Sequence, residues 1–158
     1  MNINWFPGHM KKTLDEMQKN IKLCDAVIYV LDSRIPTSSL NPKISAIAEN
    51  KPILYVLNKA DLADDKMTTK HLNRFIVDGK LAISVVSNSA TAKAKIVASL
   101  QTILAKKIEA NNKKQVSKLF KIMVIGVPNT GKSSIINAMA SKSKATTGDK
   151  AGVTKSVQ

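Results

Sequence analysis

The segment GVPNTGKS, Gly126 to Ser133, constrains the fold more than anything else in the chain. It satisfies G-x-x-x-x-G-K-[ST], a loop that works only between a buried strand and the start of a helix. The sequence supplies both. The apolar run LFKIMVIG (Leu119–Gly126) precedes the loop, and an amphipathic segment from Lys132 to Ala140 follows it. Glycines at both ends let the backbone wrap closely, so that successive N–H groups can point at phosphate oxygens. The helix N-terminus then presents partial positive charge to the anion. In such a loop Lys132 reaches the β- and γ-phosphates, and the Ser133 hydroxyl completes a Mg²⁺ shell. Asn129, Thr130, Gly131 and Ser134 are the other loop residues expected against a nucleotide. A glycine-rich turn arising by chance in a lysine-rich chain is the alternative, and it would lack this strand–loop–helix register.

The rest of the chain repeats the same alternation. Met10, Leu14, Met17 and Ile21 recur every three or four residues and predict an opening helix. AVIYVLD (Ala26–Asp32) is a β-branched apolar run of the kind buried on both faces. SRIPTSSLNP reads as a loop from its Pro and Ser content, followed by a short helix over Pro42–Glu49. PILYVLN (Pro52–Asn58) predicts a second buried strand. A helix from Asp64 to Val77 should then stop at Asp78–Gly79. LAISVV (Leu81–Val86) predicts a third strand, and Ile96, Val97, Leu100, Ile103, Leu104 and Ile108 line one face of a long helix. A lysine-rich connector, Asn111–Lys118, leads to the strand before the glycine loop. Strands alternating with helices predict a doubly wound α/β fold, a three-layer sandwich with a mainly parallel sheet. At 158 residues the chain is one domain with a genuine core. Residues 141–158 are polar, without apolar periodicity, and are expected to form a mobile tail.

A phosphate loop does not say which base is bound. NKAD (Asn58–Asp61) does, because it ends the second strand at the carboxyl edge where open α/β sheets bind nucleotides. Guanine offers N1–H and N2–H₂ as neighbouring donors, and the two oxygens of Asp61 can accept both. Adenine has a bare N1 acceptor at that edge, so a buried carboxylate there would repel it. Asn58 would tie this turn to the phosphate loop, and the Lys59 stem would lie over the base. An ordinary Asx turn is the plainer alternative. Where the third strand ends, Val86, Ser87 and Asn88 occupy the position of the short loop whose backbone meets guanine O6. The literal Ser–Ala pair is Ser89–Ala90, two residues further on.

The order of these motifs is unusual for a GTPase, with NKAD at 58 and the phosphate loop at 126. A slice through two tandem domains would need an earlier phosphate loop, and none exists between Met1 and Leu57. Circular permutation explains the order, since it is tolerated where old termini lie close together.

NWFPGHM (Asn4–Met10), D-x-R-I-P-x-S-S-x-N-P (Asp32–Pro42), NKAD, GVPNTGKSSIIN (Gly126–Asn137) and AGVTKS (Ala151–Ser156) together resemble the RbgA/YlqF family. That resemblance covers essentially the whole chain. It implies a circularly permuted GTPase that binds GTP and GDP, hydrolyses GTP, and acts on the precursor of the large (50S) ribosomal subunit and its rRNA, as a cytoplasmic monomer. It further implies that Thr154 and Gly152 belong to a switch segment, with Thr154 on the Mg²⁺ ion, and that Asn129 accompanies a K⁺ ion. Ala151 departs from the family's usual proline. His9 is a candidate to position the attacking water, with a packing or hinge role as the alternative. The family's D-x-x-G strand would follow the switch threonine. Asp149–Gly152 matches it literally but precedes Thr154 and follows no apolar strand. On the resemblance the G domain is therefore incomplete: that strand and the C-terminal RNA-binding domain are expected to be missing, and hydrolysis by this chain is expected to be weak.

The charge balance bears on partners. Twenty-five basic against eleven acidic residues give a net charge of +14. So large an excess attracts polyanions such as RNA, or else serves solubility alone. Aromatic residues are only 4%, which argues against a base-stacking surface for single strands. A nucleic-acid-binding module with vestigial nucleotide binding, and a P-loop ATPase, are the rival functions. Cys24 is the lone cysteine and excludes an internal disulfide. The longest apolar run, Ala26–Leu31, is too short to span a bilayer, and the N-terminus lacks the apolar core of a signal peptide. No membrane association is expected.

Overall fold

The computed structural model describes residues 8–114 and 119–140, with the backbone alone at residues 8–10. The element order is α1 (Gly8–Ile21), β1 (Ala26–Asp32), α2 (Pro36–Ser39), α3 (Pro42–Ala48), β2 (Ile53–Asn58), a 3-10 turn (Ala60–Leu62), α4 (Asp65–Val77), β3 (Leu81–Ser84), α5 (Ala92–Lys113), β4 (Ile122–Ile125) and α6 (Lys132–Met139). The four strands form one parallel sheet in the order β3-β2-β1-β4.

The composition of β1 explains its central place. All seven of its residues are buried, because both of its faces are covered. Val27, Tyr29 and Leu31 pack on one side with Ile21, Ile44, Ala48 and Phe75, from α1, α3 and α4. Ile28 and Val30 pack on the other with Ile96, Leu100, Ile135 and Met139, from α5 and α6. Each fully buried aliphatic side chain contributes about 1.5–3 kcal/mol, so β1 anchors two cores at once. The result is the three-layer sandwich that the alternating pattern predicts.

Four elements differ locally from the pattern. The loop after β1 contains a turn of helix, α2, started by Pro36 at its first position, where a missing N–H costs nothing. The third strand ends at Ser84 rather than Val86, although Val85 N–H still donates to Leu57 O at 2.9 Å. The long helix α5 continues through Asn111 and Asn112 to Lys113, carried past those weak formers by the Ala, Lys and Glu residues before them and by an i,i+4 ion pair between Lys113 and Glu109 at 2.8 Å. The last strand is shorter than its apolar run and begins at Ile122. Residues 115–118 and the segment 141–158 lie outside the described residues.

The chain order places the site. From β1 the sheet runs one way to β2 and β3 and the other way to β4. The connections therefore diverge at the carboxyl ends of β1 and β4, the crevice where open α/β sheets bind ligands. Gly126 and Asp32 both lie at that edge.

Candidate nucleotide-binding site

Residues 126–131 bridge β4 to α6 with a backbone that ordinary side chains would not permit. Gly126 is buried at φ 152°, and a Cβ there would sit 2.5 Å from Val30 O of β1. Asn129 (φ 64°) and Gly131 (φ 91°) adopt left-handed conformations, and a Cβ on Gly131 would collide with the Asn58 amide. Thr130 is buried, and its hydroxyl donates to Val127 O at 3.0 Å. Lys132, Ser133 and Ser134 form the first turn of α6 and are half-buried. The Lys132 ammonium donates to Val127 O at 2.9 Å, so it closes the loop across its own mouth. Burial pushes the Lys132 ammonium down from its ordinary value. An anion taken into the loop would restore the lost solvation.

Asn58 joins this loop to the rest of the site. It lies opposite Asp32 in the β1–β2 register and is 1% exposed. Its Nδ2 donates to Thr130 O at 3.0 Å, and its Oδ1 accepts the Ser87 N–H at 3.2 Å. One buried amide thus spans the phosphate loop, the end of β2 and the loop after β3. Lys59 follows in a left-handed conformation (φ 61°). Its ammonium donates to Asn129 O at 2.5 Å and to Asp32 Oδ2 at 3.1 Å. The 3-10 turn then carries Asp61, and Ala60 N–H donates to Val85 O at 3.2 Å.

One expectation needs correction. Asp61 is exposed rather than buried, because the single turn that carries it leaves the sheet for the surface. Of the two registers for the loop after β3, Ser87 is the residue brought to Asn58, while the Ser89 hydroxyl pairs with Thr91 at 3.3 Å beside the start of α5. Val86 and Ser87 are half-buried and Asn88 is exposed. His9 lies in the first turn of α1, with its side chain outside the described residues, as are Gly152 and Thr154.

Sequence reasoning assigned no role to Asp32, although the D-x-R spacing was its signal. Its carboxylate accepts from Arg34 N–H at 3.0 Å, Arg34 Nε at 2.9 Å and Nη2 at 2.7 Å, and from Lys59. The Arg34 guanidinium, and secondarily the Lys59 ammonium, hold it well below the usual carboxylate range despite its burial. Among the described residues no group of three or more His, Cys, Asp or Glu could hold a metal ion. Ser133, in the first turn of α6, presents the hydroxyl that a Mg²⁺ ion held by a ligand's phosphate oxygens could share. No helix among the described residues is long and apolar enough to cross a membrane.

A glycine loop at the switch point of a parallel sheet, bridged by Asn58 to an N-K-x-D turn encoded ahead of it, defines a P-loop GTPase-type α/β domain in circularly permuted order. Residues 121–158 match the family model described as 50S ribosome-binding GTPase. Relatives named ribosome biogenesis GTPase A, from Bacillus cereus, and probable ribosome biogenesis GTPase A, from Mycoplasma pneumoniae, are 40% and 39% identical. They align with 100% and 99% of this chain and with 54% and 55% of their own lengths. The crystal structure of GNP-bound YlqF from T. maritima is similar at a TM-score of 0.62 and 28% identity, over 83% of this chain and 48% of that one. Along its whole length the chain is thus similar to the RbgA/YlqF family of ribosome biogenesis GTPases. It spans about half the length of these relatives.

Proposed function

We propose that this domain binds guanine nucleotide and belongs to a GTPase that hydrolyses GTP as a switch in assembly of the large ribosomal subunit. The observation that carries the reading is the Asn58 bridge, which draws the phosphate loop, the N-K-x-D turn and the loop after β3 to one edge of the sheet. The names of the relatives, and the nucleotides named with the solved neighbours, support the same reading.

On this reading each residue has a definable task. Asp61 accepts guanine N1–H and N2–H₂, and its exposure leaves it open to the ligand. The Lys59 stem covers the base, and the Val86–Asn88 backbone meets O6. Lys132 exchanges Val127 O for phosphate oxygens, which anions reward more strongly than a neutral carbonyl does. The N–H groups of residues 129–134 cradle the phosphates at the start of α6. Ser133 and Thr154 would hold Mg²⁺, whose charge would offset that of the phosphates, and Asn129 would serve a K⁺ ion. Gly152 joins Thr154 in the switch segment, and His9 would position water. The +14 net charge suits rRNA as the partner. A cytoplasmic monomer is part of the same proposal.

The test is co-sedimentation with purified ribosomal subunits, in a non-hydrolysable GTP analogue, in GDP, and without nucleotide. Pelleting with large subunits favoured by the GTP analogue over GDP is expected. Equal pelleting in all three states, or equal pelleting with small subunits, would contradict the switch.

A further inference from the structure

The segment D-S-R-I-P-T-S-S-L-N-P, Asp32 to Pro42, contributes nothing to the nucleotide tasks above. Most of its polar groups hold its own path. Ser39 Oγ accepts the Asp32 N–H at 3.2 Å and donates to Ile35 O at 2.9 Å. Asn41 Oδ1 caps α3, and the Tyr29 hydroxyl accepts the Asn41 N–H at 2.9 Å. These contacts account for the arc from β1 to α3 without the Arg34 side chain.

Arg34 does something else. Its half-exposed side chain folds back two residues and grips the Asp32 carboxylate with two parallel bonds, Nε to Oδ1 and Nη2 to Oδ2. The second oxygen also receives Lys59 Nζ, whose other acceptor is Asn129 O in the phosphate loop. Two cations therefore share one buried carboxylate, and the trio carries one net positive charge. Without Arg34, Lys59 and Asp32 would neutralise each other, and the carboxylate would compete undivided for the ammonium. With Arg34 in place, the carboxylate is divided between two cations, and the Lys59 ammonium is shared with Asn129 O in the phosphate loop, where an anionic ligand has most use for it.

We propose that Arg34 is a positioning residue for the nucleotide: by occupying Asp32 it keeps the trio at one net positive charge and leaves Lys59 shared with the phosphate loop. This inference rests on the nucleotide reading and assigns a task to a residue that touches no nucleotide. The guanidinium's planar fork is what the arrangement needs, since it satisfies both carboxylate oxygens at once.

The test uses this 158-residue chain and a fluorescent GDP, with release followed by stopped flow and the nucleotide-free melting temperature measured alongside. R34Q is expected to release GDP about 5- to 20-fold faster, the scale of one charge-assisted pair. Because Gln at 34 leaves Asp32 to hold Lys59 undivided and cancel the local net charge, adding D32N should return release to within about 3-fold of wild type. In a K59M background, R34Q should have no further effect. Wild-type release in R34Q, no recovery in the D32N/R34Q pair, or a full effect of R34Q on K59M would each overturn the inference. Failure of the wild-type chain to bind GDP would instead sink the nucleotide reading itself, and it would show before any variant was made.

Discussion

Replacing Asn58 by Ala should uncouple three segments at once. The side chain is 1% exposed and makes two hydrogen bonds, to Thr130 O at 3.0 Å and from Ser87 N–H at 3.2 Å. Each bond is worth about 1 kcal/mol net, and stranding a buried partner costs about 1–3 kcal/mol. Thr130 is buried and Ser87 half-buried, so the full penalty applies at one end and part of it at the other. A loss of about 2–4 kcal/mol follows. For a domain of this size that is a fall in Tm of roughly 5–15 °C. Asn58→Asp is the discriminating companion. It keeps the acceptor for Ser87 but turns the donor facing Thr130 O into a second oxygen, burying a carboxylate against a carbonyl. At neutral pH it should be at least as destabilising as Asn58→Ala. Its raised carboxyl pKa should make it recover relative to Asn58→Ala as pH falls, because the protonated acid can donate again. Urea unfolding of the nucleotide-free protein, followed by circular dichroism at pH 7 and pH 5, measures both effects. Stabilities within about 0.5 kcal/mol of wild type for both variants would refute the argument that this amide holds the loops together.

Three further predictions follow from neighbouring geometry. Gly131→Ala meets both a left-handed backbone and the Asn58 amide, so thermal melts should show a loss of about 1–3 kcal/mol, with GDP affinity reduced at least about tenfold. The ion pairs of Asp32 stabilise the fold fully above the ordinary carboxylate range, and that contribution shrinks as pH falls below it toward the depressed pKa of the folded carboxyl. The stability gap between wild type and Asp32→Asn should therefore be full at pH 7, begin to narrow only below about pH 4 and shrink progressively in stronger acid, while a gap that widened in acid would refute the pairing. Because burial lowers the Lys132 ammonium and phosphate would need it charged, GDP affinity should decline on the alkaline side before ordinary lysines titrate. Lys132→Gln should bind more weakly and lose that decline, and an unchanged profile in the variant would count against Lys132 as the phosphate ligand.

Much of the architecture could be read in advance because the chain states it redundantly. Ala26–Asp32 is apolar at nearly every position, and only a strand covered on both faces needs that. Asp64 and Gly79 bracket α4 as cap and stop. The helix over Pro36–Ser39 was hidden because four residues carry no period, and prolines and serines spell a loop as readily as a short turn. At the site, the motifs identified Asn58 and Gly131, whose residue types are demanded by local chemistry. The exposure of Asp61 could not be read, since it depends on how one 3-10 turn leaves the sheet. Asp32 and Arg34 carried a recognisable spacing without a role. Their meaning lies in the β1–β2 register, which sets Asp32 opposite Asn58 and brings Lys59 within reach of its carboxylate. Long-range pairing of that kind leaves no periodicity in a sequence.

On the proposed reading, the site selects guanine through Asp61. The most direct measurement is a titration with fluorescent GDP in Mg²⁺ and K⁺, competed with GTP, GDP and ATP, on the wild-type chain and on Asp61→Asn. Competition by the guanine nucleotides alone, weakened at least about tenfold in Asp61→Asn, is the predicted result. Displacement by ATP as effective as by GTP, or binding indifferent to the Asp61 substitution, would contradict the account.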